Sequence, residues 1–157
     1  MVSSEWLKKA ELFGDLNPSQ LKTLFSQSRI EEFPEGKVIF REGEEAPYLY
    51  VLVQGLVELV VGADRQIDWM TSRIEKEGAV FGTASLMEPF RYNVTAICLK
   101  PSNVLVLDAQ YIKRKMKEDP EMGLEVMKKL SSIYFRRLNE LRSGVSHLLR
   151  TVEHKVP

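Results

Sequence analysis

Phe81-Gly82-Thr83-Ala84-Ser85-Leu86, continuing through Met87-Glu88-Pro89-Phe90-Arg91-Tyr92-Asn93-Val94-Thr95-Ala96, is the stretch whose reading decides the fold. Its pattern is a strand end, a glycine turn, one short helical turn, a loop and a new strand. Gly82 lets the backbone turn sharply without a Cβ clash. Thr83, Ala84 and Ser85 then fall where the N–H groups of a helix start point outward, and unpaired donors together with the helix dipole favour an anion there. Small side chains at those positions let a ligand approach the backbone. An ordinary strand-to-helix turn has the same pattern, so the rest of the chain has to arbitrate.

On either side of this stretch the apolar spacing is that of short strands. Ile30, Val38–Phe40, Tyr48–Val53, Leu56–Val61, Ile67–Ile74, Ala79–Phe81, Tyr92–Leu99 and Val104–Leu107 are separated by turns such as Pro34-Glu35-Gly36, Glu42-Gly43-Glu44, Gln54-Gly55 and Lys100-Pro101-Ser102. Many short strands with regular turn signals predict a β sandwich or barrel. Tyr48–Val53 is apolar on both faces, which predicts a central strand, and Gly62-Ala63-Asp64-Arg65 reads as a hairpin tip.

Outside this β region the spacing is helical. Residues 4 to 27 read as helix, interrupted at Gly14, with Asn17-Pro18 as an N-cap and first-turn proline. Asp119-Pro120-Glu121 starts a long helix expected to reach about Thr151, with Gly123 and Gly144 as weak points. Leu138, Leu141, Val145, Leu148 and Val152 recur at alternating spacings of three and four, as in a coiled-coil seam, with Tyr134 extending it toward the barrel. That stripe predicts a homodimer through the final helix, unless a break at Gly144 folds the stripe back on its own barrel. A single domain over residues 1–157 is expected, with the barrel at about 30–107 and the C-terminal helices at about 108–151.

Composition narrows the function classes. The 157 residues are 44% hydrophobic and 28% charged, with 22 basic and 22 acidic side chains, so no overall basic excess marks a nucleic-acid binder. The single cysteine, Cys98, excludes an intrachain disulfide and reads as a core thiol in a reducing compartment. No apolar signal core begins the chain and no apolar run is long enough to span a bilayer, so a cytoplasmic protein is expected. His147 and His154 lie seven apart and do not make a metal pair. Ser85 has neither a neighbouring histidine nor a nucleophile-elbow context, and no Walker-type loop is present, so no enzyme is expected. Arg136, Arg137 and Arg142 read as a solvated helix face, with contact to a ligand or to nucleic acid as the alternative.

The order of elements and two segments resemble the cyclic-nucleotide-binding domain family, which includes the sensory half of catabolite activator-type regulators. One segment runs from Ile39 through Gly43, Ala46 and the Tyr48–Val53 run to Gly55; the other is the cassette from Phe81 to Ala96. The resemblance covers roughly residues 10 to 142. It implies a mainly β fold, a double-stranded β-helix or jelly-roll barrel, with N-terminal helices and a long C-terminal helix. It implies a regulatory ligand-sensing module, with cAMP or cGMP as possible ligand, contacted by Phe81, Gly82, Thr83, Ala84, Ser85, Phe90, Arg91, Tyr92 and Asn93. The cassette departs from the family where the ligand chemistry lies. Thr83 stands where the family glutamate accepts a hydrogen bond from the ribose 2′-hydroxyl, and Phe90 stands at the position of the arginine that pairs with the cyclic phosphate. Losing one member of such a buried charged pair costs about 2–5 kcal/mol, roughly 30-fold to several thousand-fold in affinity. The register places Arg91 one residue past that position, so unless a one-residue shift in the loop restores it, Arg91 is not expected to hold a phosphate in the family manner. A small anionic ligand other than a standard cyclic nucleotide therefore fits the residues. The alternative is a barrel scaffold for protein interaction and dimerisation, with an unidentified protein partner, that has lost nucleotide binding. Family regulators carry a helix-turn-helix beyond the long helix, and with the sequence ending at Pro157 no direct DNA binding is expected.

Overall fold

The structure is a computed structural model describing residues 1–62 and 71–155. Eight strands form two antiparallel four-stranded sheets. One has the order β1 (Ser28–Phe33), β8 (Ser102–Asp108), β3 (Tyr48–Gln54), β6 (Val80–Phe81). The other has the order β2 (Val38–Phe40), β7 (Thr95–Cys98), β4 (Val57–Val60), β5 (Thr71–Ile74). Neighbours far apart in sequence, such as β3 with β8 and β4 with β7, make this the jelly-roll arrangement expected from the sequence. The expected strand from Ile67 enters the described structure only as β5, and the hairpin tip at Ala63–Arg65 lies outside the described residues.

Strand alternation splits the core in two. On β3, Tyr50 and Leu52 point into the barrel with Phe33, Phe40, Val57, Leu59, Phe81, Val104 and Val106. Leu49 and Val51 point the other way, into a second cluster with Leu105, Leu107 and the helices. The Tyr48–Val53 run is apolar on both faces because both of its faces are covered. Glu58 interrupts the β4 pattern because it faces Arg73 across β5, with a carboxylate–guanidinium distance of 3.6 Å.

The helical layer closes the outer face of the first sheet. Residues 4–27 do not form continuous helix. Trp6–Lys9 is a 3-10 turn, residues 10–17 are turns, and α1 spans Pro18–Phe25. The Asn17 side chain accepts from the Gln20 amide at 2.8 Å while Gln20 caps the Asn17 amide at 3.0 Å. This reciprocal pair fixes where α1 begins. After β8, Asp108 caps α2 (Ala109–Glu118), and Asp119 caps α3 by accepting from the Met122 amide at 3.1 Å. Burying Met122, Val126, Leu130 and Ile133 against the sheet holds the first half of α3 in place. This helix runs unbroken from Pro120 to Lys155, past both Gly144 and the expected end at Thr151.

Candidate functional site

The interior of the barrel holds a stack of aromatic rings. Phe40 stacks on Tyr92 with centroids 3.8 Å apart, and Tyr50 stacks on Phe81 at 5.2 Å. The Tyr92 hydroxyl donates to the Tyr48 carbonyl at 2.8 Å. Burial pushes the phenol of Tyr50 far above its ordinary range, with the neighbouring Tyr92 adding to it, and burial pushes Tyr92 up as well.

The Gly82 turn sits on this stack. Gly82 has φ 73°, and a Cβ there would lie 2.9 Å from the Tyr50 ring, so glycine is required twice over. Thr83–Leu86 form one 3-10 turn, and all four residues are buried. The Ser85 amide and hydroxyl both donate to the Gly82 carbonyl, at 3.1 and 2.7 Å. Ser85 therefore drops out of the expected row of outward donors, its amide and hydroxyl being spent on its own turn. Thr83 instead reaches α3, its hydroxyl 2.8 Å from that of Tyr134.

Between this turn and α3 lies a cleft of about 400 Å³. The cassette contributes Gly82, Thr83, Tyr92, Asn93 and Val94; the second sheet contributes Leu59 and Ser72, with Val61 just past β4; α3 contributes Tyr134, Arg137, Leu138, Glu140 and Leu141. Among the described residues, half-buried Arg137 makes no ion pair, whereas Arg136 is paired with Glu11 at 3.0 Å. The cation facing the cleft thus comes from α3.

The structure brings together only part of the expected ligand set. Phe81, Ala84 and Ser85 lie behind the cleft as packing. Phe90 and Arg91 line a separate depression with Glu45, Tyr48 and Lys113. Arg91 pairs with Glu45 across an isolated bridge, and its guanidinium donates to the Gly43 carbonyl at 3.0 Å. Phe90 has φ 57° and lies under the Lys113 ammonium, 3.7 Å from the ring centroid. Tyr134, expected in the dimer seam, turns its hydroxyl to its own barrel; Leu138, Leu141, Val145, Leu148 and Val152 are exposed. Tyr134 was missed as a cleft residue, and Arg137 was read first as part of a solvated helix face, with ligand contact only as the alternative. With Leu138 and Leu141 they fall at i, i+3, i+4 and i+7, one face of a helix, and that spacing was the available signal.

Other candidates resolve simply. Cys98 is buried, and burial raises its thiol. His147 is exposed, and the His154 side chain lies outside the described structure. Among the described residues no acidic, histidine or cysteine group is arranged to hold a metal ion. Among them no helix is long and apolar enough to cross a membrane.

The comparisons agree with this geometry. The cyclic nucleotide-binding domain family model matches residues 30–119. A CRP-like cAMP-activated global transcriptional regulator of Mycobacterium tuberculosis is 25% identical over 148 residues, covering 94% of this chain and 63% of the regulator. The chain therefore spans less than two thirds of that regulator's length. Among solved structures, a Geobacter metallireducens GS-15 protein that carries a provisional cyclic nucleotide-binding name is 29% identical. It superposes with a TM-score of 0.76 over 88% of this chain and 99% of its own. The sensor domain of the transcriptional regulator DNR from Pseudomonas aeruginosa, 26% identical, has a TM-score of 0.67 over 87% of this chain and 91% of its own. A jelly roll with this strand order, a glycine turn against a long helix and a family match over most of the barrel have one common reading: the chain belongs to the cyclic nucleotide-binding domain family.

Proposed function

We propose that this chain is a regulatory module that senses a small anionic ligand in the cleft between the Gly82–Thr83 turn and α3. The observation that carries the reading is the Thr83–Tyr134 contact of 2.8 Å, which ties the turn directly to the helix beside a cation, Arg137, that has no acidic partner among the described residues. A ligand entering there meets barrel and helix at once, so its binding energy differs between placements of α3. That difference is what shifts a conformational equilibrium. In the family's manner the anion would be met by an arginine of the cassette loop. Here that position is Phe90, and Arg91 is turned to the Gly43 carbonyl. The anion is instead met by Arg137, so cAMP and cGMP are expected to bind far more weakly than in members with the family pair.

Isothermal titration with cAMP, cGMP and cyclic dinucleotides tests this. Binding of the ligand with the largest heat should fall about tenfold or more in Arg137→Ala, while Arg91→Ala leaves it within about twofold. The reverse ranking would overturn the assignment. No heat and no thermal shift with any of them would leave the second reading, a scaffold for protein contacts. Two observations favour that second reading: the barrel interior is filled by its own aromatic rings, and α3 presents exposed Leu138, Leu141, Val145, Leu148 and Val152. Both readings include a homodimer through α3.

A further inference from the structure

An apolar concavity lies away from the cleft, where α2 crosses α3. We propose that this groove docks an acidic, amphipathic segment of a partner protein, independently of any ligand in the cleft. It encloses about 850 Å³, and its floor is Phe90, Met116, Leu124 and Met127. Leu124 is 60% exposed, a large apolar side chain with nothing over it in this chain. Gly123 makes the groove possible: a Cβ there would meet the Met116 carbonyl at 2.9 Å, so only glycine lets the helices approach this closely.

The chemistry of the rim selects the occupant. Lys113, Arg114 and Lys117 stand along the α2 side, against Glu88 alone. Lys117 and Arg114 are exposed, and Lys113 is half-buried over the Phe90 ring. A free phosphate would satisfy the rim but leave the floor wet. A duplex needs a longer run of cations than three side chains supply. A segment with leucine- or phenylalanine-like anchors flanked by carboxylates uses both parts, burying the floor and complementing the rim. Two methionines in the floor adapt to anchors of differing shape, as thioethers do at peptide-binding surfaces. Phe90 belongs to the cassette loop, and its carbonyl accepts from the Ala46 amide at 2.9 Å, so a docked segment touches the loop that also carries Tyr92 and Asn93.

The test is selection of a random displayed peptide library on the full chain. Selected sequences are then compared on wild type, Arg114→Glu/Lys117→Glu and Leu124→Asp, all three checked for folding by circular dichroism. Selected peptides should be rich in Asp and Glu beside apolar anchors. They should bind each variant about tenfold or more weakly, lose affinity as salt is raised, and shift the amide resonances of Phe90, Leu124 and Met127. A library that yields no sequence weakened by both variants overturns the proposal, as do peptides that map to residues 138–152. If either variant instead changes the sedimentation of the protein alone, the occupant is a second copy. If Arg114→Glu/Lys117→Glu abolishes co-sedimentation with phosphatidylserine vesicles, it is a membrane. Either result also overturns the proposal. Loss of ligand binding in the cleft leaves these outcomes unchanged.

Discussion

Thr83 brings a short neutral oxygen to the place where the family resemblance puts a glutamate, and the side chain that answers it is a phenol on another element. The same residue type packs the barrel below. Tyr50, stacked on Phe81, and Tyr92, stacked on Phe40, are buried, and in both the phenol is pushed up because the phenolate would have to sit in an apolar interior. The sign follows from linkage. The neutral form is favoured in the folded chain, so both residues contribute fully below the ordinary tyrosine value of about 10, and stability falls as pH rises above it. Of the five tyrosines, Tyr50 and Tyr92 should therefore ionise later than a free phenol, Tyr50 the latest. An alkaline titration followed by phenolate absorbance, with circular dichroism alongside, should show a reversible fraction and a late step that coincides with loss of structure. Five reversible ionisations near the ordinary tyrosine value in a still-folded protein would contradict the buried stack. Tyr50 was legible as a core residue from its place in the apolar run. Tyr92 was legible only in part: packing was the better reading of an aromatic residue beside the barrel, but stacking on a ligand uses the same ring, and the sequence does not say which way it turns.

At the scale of elements, the strands were readable because turn signals bounded them and alternation named their faces. Tyr48–Val53 and Val104–Leu107 were the clearest, both faces being apolar and both being covered. The start of α3 was equally clear, since Asp119-Pro120-Glu121 combines three independent local preferences. The N-terminal stretch misled because Trp6, Leu7, Ala10 and Leu12 make a helix-like apolar face yet are buried from a 3-10 turn and the turns after it, where tertiary packing rather than period sets the conformation. Gly123 misled in a different way. By propensity it is a weak point, with alanine better by roughly 1 kcal/mol. In the fold it is the contact point of α2 and α3, where an added Cβ would lie 2.9 Å from a backbone carbonyl that cannot swing aside. Gly123→Ala should therefore destabilise, by about 1–3 kcal/mol as an overpacked site does, with a lower urea midpoint at unchanged slope. A gain in stability would mean that the helices can separate without loss.

For the molecule as a whole, α3 is too long for the body it packs on. Its 36 residues extend about 54 Å at roughly 1.5 Å per residue. The last α3 residue in the buried core is Ile133, with Tyr134 packed beside it, and beyond them the helix has apolar side chains and no cover. Leu138, Leu141, Val145, Leu148 and Val152 are 37–52% exposed along one line, with Phe135 and Leu149 beside it. A contiguous apolar strip of this kind is rarely left in water, and its alternation of three and four suits a second copy of the same helix. A parallel pair is self-complementary about a two-fold axis. It would also place the second helix against Leu138 and Leu141, which already line the ligand cleft, so occupation of one cleft would be felt by the other subunit. Sedimentation equilibrium at tens of micromolar should give twice the 18.0 kDa of one chain. Leu141→Asp with Leu148→Asp should return the monomer, because two carboxylates would have to be buried in the seam, while the near-ultraviolet circular dichroism of the barrel tyrosines stays unchanged. A wild-type protein that sediments as a monomer under those conditions would leave the strip to a different partner and remove the route by which two clefts communicate.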